Sequence, residues 1–240
     1  MNTLQTYENF SSDVLDTNKW FILEIPVGEG ESRRYEEPHA KVTIKDGVLE
    51  VDIARFETFH DQVQMFDSGK QAYFSTKSFP LPAQREAVFS VEMAVTNHGG
   101  NPDDVRDAFA SFNVVDLASG AVFDAIATSR RLYALHERLQ VPGVRAEDVF
   151  TYIVEAPLAS LSTEPGQFHE YTITFDRANR RACWYVDGTR VYALDNLKVF
   201  PDEVQIGFGI FTLHPLRQGK STALRGQGMR SRWRNFRYAI

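Results

Sequence analysis

Cysteine is almost absent: Cys183 is the only thiol in 240 residues, so no disulfide within the chain can staple the fold. A reducing compartment permits such a count. The opening Met1-Asn2-Thr3-Leu4-Gln5-Thr6 has neither the cationic start nor the apolar segment of a signal peptide, and the expectation is a cytoplasmic protein. A cationic excess is also missing. Lys and Arg number 26 against 32 Asp and Glu, a net charge of −6, which argues against nucleic acid as a partner. The six histidines, His39, His60, His98, His136, His169 and His214, show no ligand-like spacing, so no metal is expected. The chain has no Gly-rich phosphate loop, no Gly-x-Ser-x-Gly elbow and no Cys/His nucleophile arrangement, and no cofactor is implied.

What is present is a globular composition, 43% hydrophobic and 24% charged, with an aromatic share of 12% supplied by 18 Phe, 9 Tyr and 3 Trp. That balance excludes disordered, collagen-like and membrane-spanning classes. The dominant period is two. Lys41 to Ile53 alternates polar and apolar residues around Asp46-Gly47, and Ala182 to Tyr192 does the same around Asp187-Gly188; each reads as a β-hairpin. Further strand-like runs lie at 59–66, 72–79, 87–96, 108–116, 121–128, 131–138, 149–155, 169–176, 204–212 and 229–239, separated by Gly, Pro, Asn and Asp clusters. Residues 103–107 and 194–200 are each expected to form one or two helical turns. Without a linker or repeat, residues 1–240 are expected to form one all-β domain, an antiparallel β-sandwich. The series Arg230, Arg232, Arg234 places three guanidinium groups on one strand face and Trp233 on the other.

The opening Tyr7-Glu8-Asn9-Phe10 with Leu15 to Trp20, the pair around Val42 to Leu49, Phe168 to Phe175 leading into Trp184 to Gly188, and the closing Arg232 to Tyr238 occur in an order that resembles the concanavalin-A-like lectin/glucanase jelly rolls, in particular the laminarinase-like bacterial enzymes. The resemblance implies a cleft on a concave sheet. Glucanases of that kind carry Glu-x-Asp-x-Glu on one strand, whose alternation aims three carboxylates into the cleft. The matching strand here places Asp124 on the central Asp but Val122 and Ile126 on the flanks, which removes the retaining-glucanase pair. The resemblance therefore points to a bacterial family of this fold whose activity is not established.

Strands 87–96, 108–116, 121–128, 131–138 and 149–155 are expected to form the cleft sheet. Its candidate catalytic residues are His136 as acid or base, with Asp124 or Glu155 as carboxylate partners. Candidate substrate-binding residues are Asn113, Arg138, Tyr133, Glu92, His60, Gln64 and Glu37. His136 and Arg138 share one face, pairing a titratable ring with a fixed cation; His60, Gln62 and Gln64 share another, suited to hydroxyl or carbonyl recognition. Two functions follow. One is an enzyme acting on a small, largely apolar molecule by acid/base rearrangement, cyclisation or elimination, as in bacterial secondary metabolism. The alternative is a noncatalytic carbohydrate-binding, lectin-like domain or a divergent glycoside hydrolase. The partner in either case is a small-molecule ligand or a sugar.

Overall fold

The computed structural model describes residues 3–28, 30–58, 69–156, 161–213, 216–217, 220–221 and 224–240. In chain order its strands are β1 (Gln5–Glu8), β2 (Trp20–Ile22), β3 (Glu24–Gly28), β4 (Glu31–Arg34), β5 (Lys41–Lys45), β6 (Val48–Ile53) and β7 (Gly69–Ser75). Then come β8 (Phe79–Pro80), β9 (Ala87–His98), β10 (Phe109–Asp116), β11 (Ala121–Ala127), β12 (Leu132–Arg138), β13 (Phe150–Glu155) and β14 (Phe168–Asp176). The series ends with β15 (Arg181–Val186), β16 (Thr189–Leu194), β17 (Glu203–Phe211), β18 (Leu216–Arg217), β19 (Lys220–Ser221) and β20 (Gly228–Ala239).

Two antiparallel eight-stranded sheets carry the fold. Sheet I runs β16-β15-β14-β9-β20-β6-β5 with β1 beside β20, and sheet II runs β13-β12-β11-β10-β17-β7-β2 with β8 beside β17. This is the expected all-β sandwich. The two Asp-Gly hairpins form as well, with both turn residues at positive φ: 52° and 76° at Asp46-Gly47, 49° and 74° at Asp187-Gly188. That is the left-handed pair a two-residue hairpin turn of matching twist requires. The expected helical turns do not form: residues 103–107 are turns and coil, residue 194 ends β16 and 195–200 are bends and coil, and the helix among the described residues is a short 3₁₀ turn at Ala146–Asp148. Asp103 is instead drawn into ion pairs with Arg130 and Arg131, at 3.2 and 3.0 Å. The expected strand at 59–66 lies outside the described residues.

The core between the sheets is built by strand alternation. Phe89, Val91 and Met93 of β9, Trp184 of β15 and Trp233 of β20 meet Phe112, Phe123 and Phe208 of β10, β11 and β17. Their burial at about 1.5–3 kcal/mol per large apolar side chain is the main term holding the sheets together. The aromatic excess is thus chiefly core: all three tryptophans are buried, and Phe208 alone contacts the rings of Trp20, Tyr73, Trp233 and Phe236. The outer face of sheet I is charged. Arg230 pairs with Asp52 at 2.9 Å, Arg234 with Glu92 at 2.8 Å, and Arg232 and Arg234 both lie over the Phe168 ring. Trp233 points inward, as the alternation requires.

Sheet II differs on its outer face, which carries a second buried apolar cluster including Phe74, Phe109, Val115, Val122, Ile126, Tyr133, Leu135 and Phe211. Leu23 and Tyr35, on either side of the β3–β4 hairpin, join that cluster and exchange main-chain hydrogen bonds with Ala72 of β7. A strand exposed to solvent on one side alternates polar and apolar residues, whereas β7, β10 and β11 are buried at every position.

Candidate functional site

On β11, Phe123 and Ala125 face the inter-sheet core while Val122, Asp124 and Ile126 face outward. The ladder then fixes Asp124's neighbours. It lies opposite Asn113 on β10 and Leu135 on β12; Asn113 in turn lies opposite Gly207 on β17. One row to one side, Ser111 is opposite Ile126 and Gly209; one row to the other, Glu137 is opposite Val122 and Thr151. Ser111, Asn113, Asp124 and Glu137 therefore form a polar seam that crosses β10, β11 and β12 through an apolar face. All four are 0% exposed.

The seam is incompletely satisfied. Ser111 Oγ donates to Asn113 Oδ1 at 3.0 Å, and Thr151 Oγ1 donates to Glu137. Among the described residues, Asn113 Nδ2 and both carboxyl oxygens of Asp124 have no hydrogen bond of good geometry. Burial pushes the Asp124 carboxyl well above the ordinary carboxylate range; the Asn113 amide and the Val114 N–H temper that rise, and the charge of Glu137 reinforces it. Burial thus favours the protonated form of Asp124, in which the carboxyl can donate one hydrogen bond or one proton. A buried polar group without a well-formed hydrogen bond costs about 1–3 kcal/mol. Tyr133, opposite Ile126, stands in the same face with its phenol pushed up to about 12 by burial. Next to the seam, Gly207 gives Phe74 room: a Cβ there would meet the Phe74 ring at 2.7 Å.

Asp124, Asn113 and Tyr133 therefore share the expected cleft face, and Thr151 and Glu155 of β13 face the same way. Glu155 sits at the rim, where Arg131 holds it at 2.7 Å in an exposed ion pair. His136 does not join them. Position 136 has the opposite parity to Tyr133 and Leu135, so its ring points between the sheets, stacks on Phe123 at 4.7 Å and faces Val122 O through Nδ1 at 3.1 Å. The expected grouping of His136 with Asp124 or Glu155 is thus corrected by strand alternation. Arg138 shares the His136 face, as expected. The carboxylate on the Asp124 face of β12 is Glu137, which is not among the candidates read from the sequence. The signal was there: matching β12 to the parity of Asp124, with Tyr133 and Leu135, selects it.

Two further residues lie elsewhere. Strand β9 belongs to the centre of sheet I, so Glu92 is on the opposite side of the molecule, held by Arg234 and by Asn235 at 2.7 Å. Glu37 is buried, but its carboxylate accepts the N–H groups of Glu57 at 2.9 Å and Thr58 at 3.1 Å and the Thr58 hydroxyl, a structural tie between two loops. Nearby, Lys70 is fully buried and donates to Thr58 O; burial lowers its ammonium to about 8, opposed by the charge of Glu37. His60 and Gln64, with Gln62 between them, lie outside the described residues.

Solved structures of the same architecture cover nearly the whole chain. The laminarinase catalytic domain from Thermotoga maritima MSB8 is 16% identical with TM-score 0.57, covering 99% of this chain and 98% of its own. A LamA variant from Zobellia galactanivorans, in complex with laminaritriose and laminaritetraose, is 14% identical with TM-score 0.60, covering 99% and 98%. The Bacillus licheniformis β-glucanase is 12% identical with TM-score 0.56, covering 97% and 96%. At these identities the likeness establishes the jelly-roll sandwich of laminarinase type and nothing finer. Among curated proteins, none matches. Residues 8–240 match the family described as "Family of unknown function (DUF6081)", and the chain belongs to that family.

Proposed function

We propose that the outer face of sheet II binds a small, largely apolar molecule bearing a carbonyl or hydroxyl oxygen, and that the protein acts on it by acid/base chemistry. Asp124 is the acid. Burial favours its protonated form, in which it donates to the substrate oxygen, a role an ionised carboxylate cannot fill. Glu137, diagonal to it across the β11–β12 ladder, is the second carboxyl group placed to exchange a proton with the same molecule, and Asn113 Nδ2 supplies a further donor. An apolar wall, one acid and one acceptor together can serve rearrangement, cyclisation or elimination. The observation that carries the reading is the fully buried carboxyl of Asp124, without a well-formed hydrogen bond, among apolar side chains.

A second reading, binding of an oligosaccharide, draws support from the laminaritriose and laminaritetraose held by the LamA variant. The residues here favour the first. Val122 and Ile126 stand where a glucanase strand carries carboxylates, and Trp20, Trp184 and Trp233 are all buried in the core, leaving no tryptophan as a sugar platform. The test is calorimetric titration with 2-decalone, an apolar bicyclic ketone, and with laminaritetraose. The proposal expects saturable binding of the ketone that is lost in Asp124→Leu. Saturable binding of laminaritetraose alone would overturn it in favour of the sugar reading.

A further inference from the structure

Strand β13 ends sheet II and β16 ends sheet I, and between these two edges lies a cavity of about 450 Å³. His136 and Arg138 line it from the face of β12 opposite Asp124, and Glu137, whose carboxyl belongs to the seam, is also among its lining residues. His136, Arg138, Phe150, Tyr152, Leu194 and Lys198 are among the residues lining it. Its volume falls in the range of small-molecule sites.

Three features define what it would hold. First, the inner wall is aromatic: His136 lies flat on Phe123, Phe150 meets the His136 ring at 4.9 Å, and Tyr152 lies 5.0 Å from Phe150 with 60% of its surface exposed. Second, His136 Nδ1 faces a carbonyl, which can only accept, so Nδ1 carries the proton and Nε2 is left as an acceptor. Burial, opposed by that same backbone bond, keeps the ring below the ordinary histidine range and therefore neutral at pH 7. Third, each acid of the rim already lies against an arginine. Asp148 is held by Arg145 at 2.9 Å, Glu147 by the same Arg145 at 3.2 Å and Asp195 by Arg181 at 2.8 Å. Among the described residues neither Arg138 nor Lys198 forms an ion pair, and Arg138 Nε reaches only Ser119 O, at 3.4 Å. The mouth therefore presents two cations without an ion pair of their own, both of which act at longer range on Asp148.

We propose that this cavity is a second ligand site, for a small aromatic carboxylate carrying a ring hydroxyl. The ring packs against Phe150 and Tyr152, the hydroxyl donates to His136 Nε2, and the carboxylate meets Arg138 and Lys198 at the mouth. His136 and Arg138 are two residues apart on one strand, about 6.6 Å, close to the span from hydroxyl to carboxylate in 4-hydroxybenzoate.

Calorimetric titration of the intact protein with 4-hydroxybenzoate, benzoate and 4-hydroxybenzyl alcohol tests it. The proposal expects saturable binding of 4-hydroxybenzoate, with the other two, each lacking one polar group, weaker by about tenfold or more. His136→Phe should bring 4-hydroxybenzoate down to the level of benzoate and leave benzoate unchanged. Arg138→Gln with Lys198→Gln should weaken both acids about tenfold and spare the alcohol. Should a variant fail to fold, the wild-type His136 ring resonance decides: it must move along the 4-hydroxybenzoate titration. A stationary resonance with no saturable binding at millimolar concentration overturns the proposal, as does equal binding of the alcohol and the acid.

Discussion

The indole N–H of Trp184, on sheet I, crosses the core and donates to the main-chain carbonyl of Asp124 on sheet II at 2.9 Å. Trp233 makes the equivalent bond to the carbonyl of Ser111 at 3.2 Å. Two of the four residues of the buried seam are thus gripped from behind by side chains of the other sheet. The backbone of the site is positioned by the core.

Trp184→Phe keeps an aromatic ring in the core but removes that grip. Loss of the bond and of packing volume is expected to cost about 2–4 kcal/mol, read as a lower urea midpoint at unchanged slope. Binding of 2-decalone should weaken in the folded variant, because the Asp124 main chain is no longer fixed.

Asp124 makes stability depend on pH in a defined direction. Unfolded, its carboxyl titrates near the ordinary 3.8; folded, it keeps its proton to well above that. Between the two values the native state binds more protons than the unfolded state, so stability falls as pH rises through this window, by up to about 1.4 kcal/mol per pH unit. Asp124→Asn, which cannot ionise, should lack this slope and overtake the wild type in stability towards alkaline pH. Denaturation curves at pH 5 and pH 8 measure the difference.

His136 has the opposite effect. Its folded value lies below the ordinary 6.5, so under that pH the unfolded chain takes up a proton that the native state refuses, and stability is lost as pH falls from about 6.5 towards the folded value. His136→Phe should show a flatter acid limb in the same denaturation series. An NMR titration of the His136 ring in the native protein should give a midpoint below 6.5.

Gly188 has a φ of 74° and open space around its Cβ position, so Gly188→Ala tests conformation alone. The expected loss is about 1–2 kcal/mol, without change at the seam. Thermal unfolding with a parallel 2-decalone titration checks both parts.

Glu92→Ala removes an ion pair on the outer face of sheet I, where Arg234 has 39% and Glu92 22% of its side-chain surface exposed. Its expected cost is about 1 kcal/mol or less, with 2-decalone binding unaltered. A loss of binding here would show that the face of sheet I takes part in the site.

The sandwich was legible because period two and the Asp-Gly turns are local signals. Which strands shared a sheet was not: β9 pairs with β14 and β20, residues far away in sequence, and placing 87–96 in the cleft sheet carried Glu92 to the wrong side. Within sheet II, it is the register of β10 against β11 that brings Asp124 to the face of Ser111 and Asn113. The misreading of β12 arose because parity within one strand is visible in sequence while the phase between neighbouring strands is set by register. Reading His136 as the candidate on β12 took the chemically rich residue and missed Glu137, whose phase matches Asp124.

Gly207 and Phe74 share one allotment of space, since the ring occupies the volume that a side chain at position 207 would need. A carbon added at 207 must be matched by carbons removed at 74. Gly207→Ala should therefore be tolerated better with Phe74→Leu than alone, with the Tyr73 carbonyl, 2.8 Å from the added carbon, still to be displaced. Such paired exchange alters the contour of the wall beside Asn113 while leaving every polar group of the seam in place, which makes the 74/207 pair a means of changing ligand shape without changing chemistry.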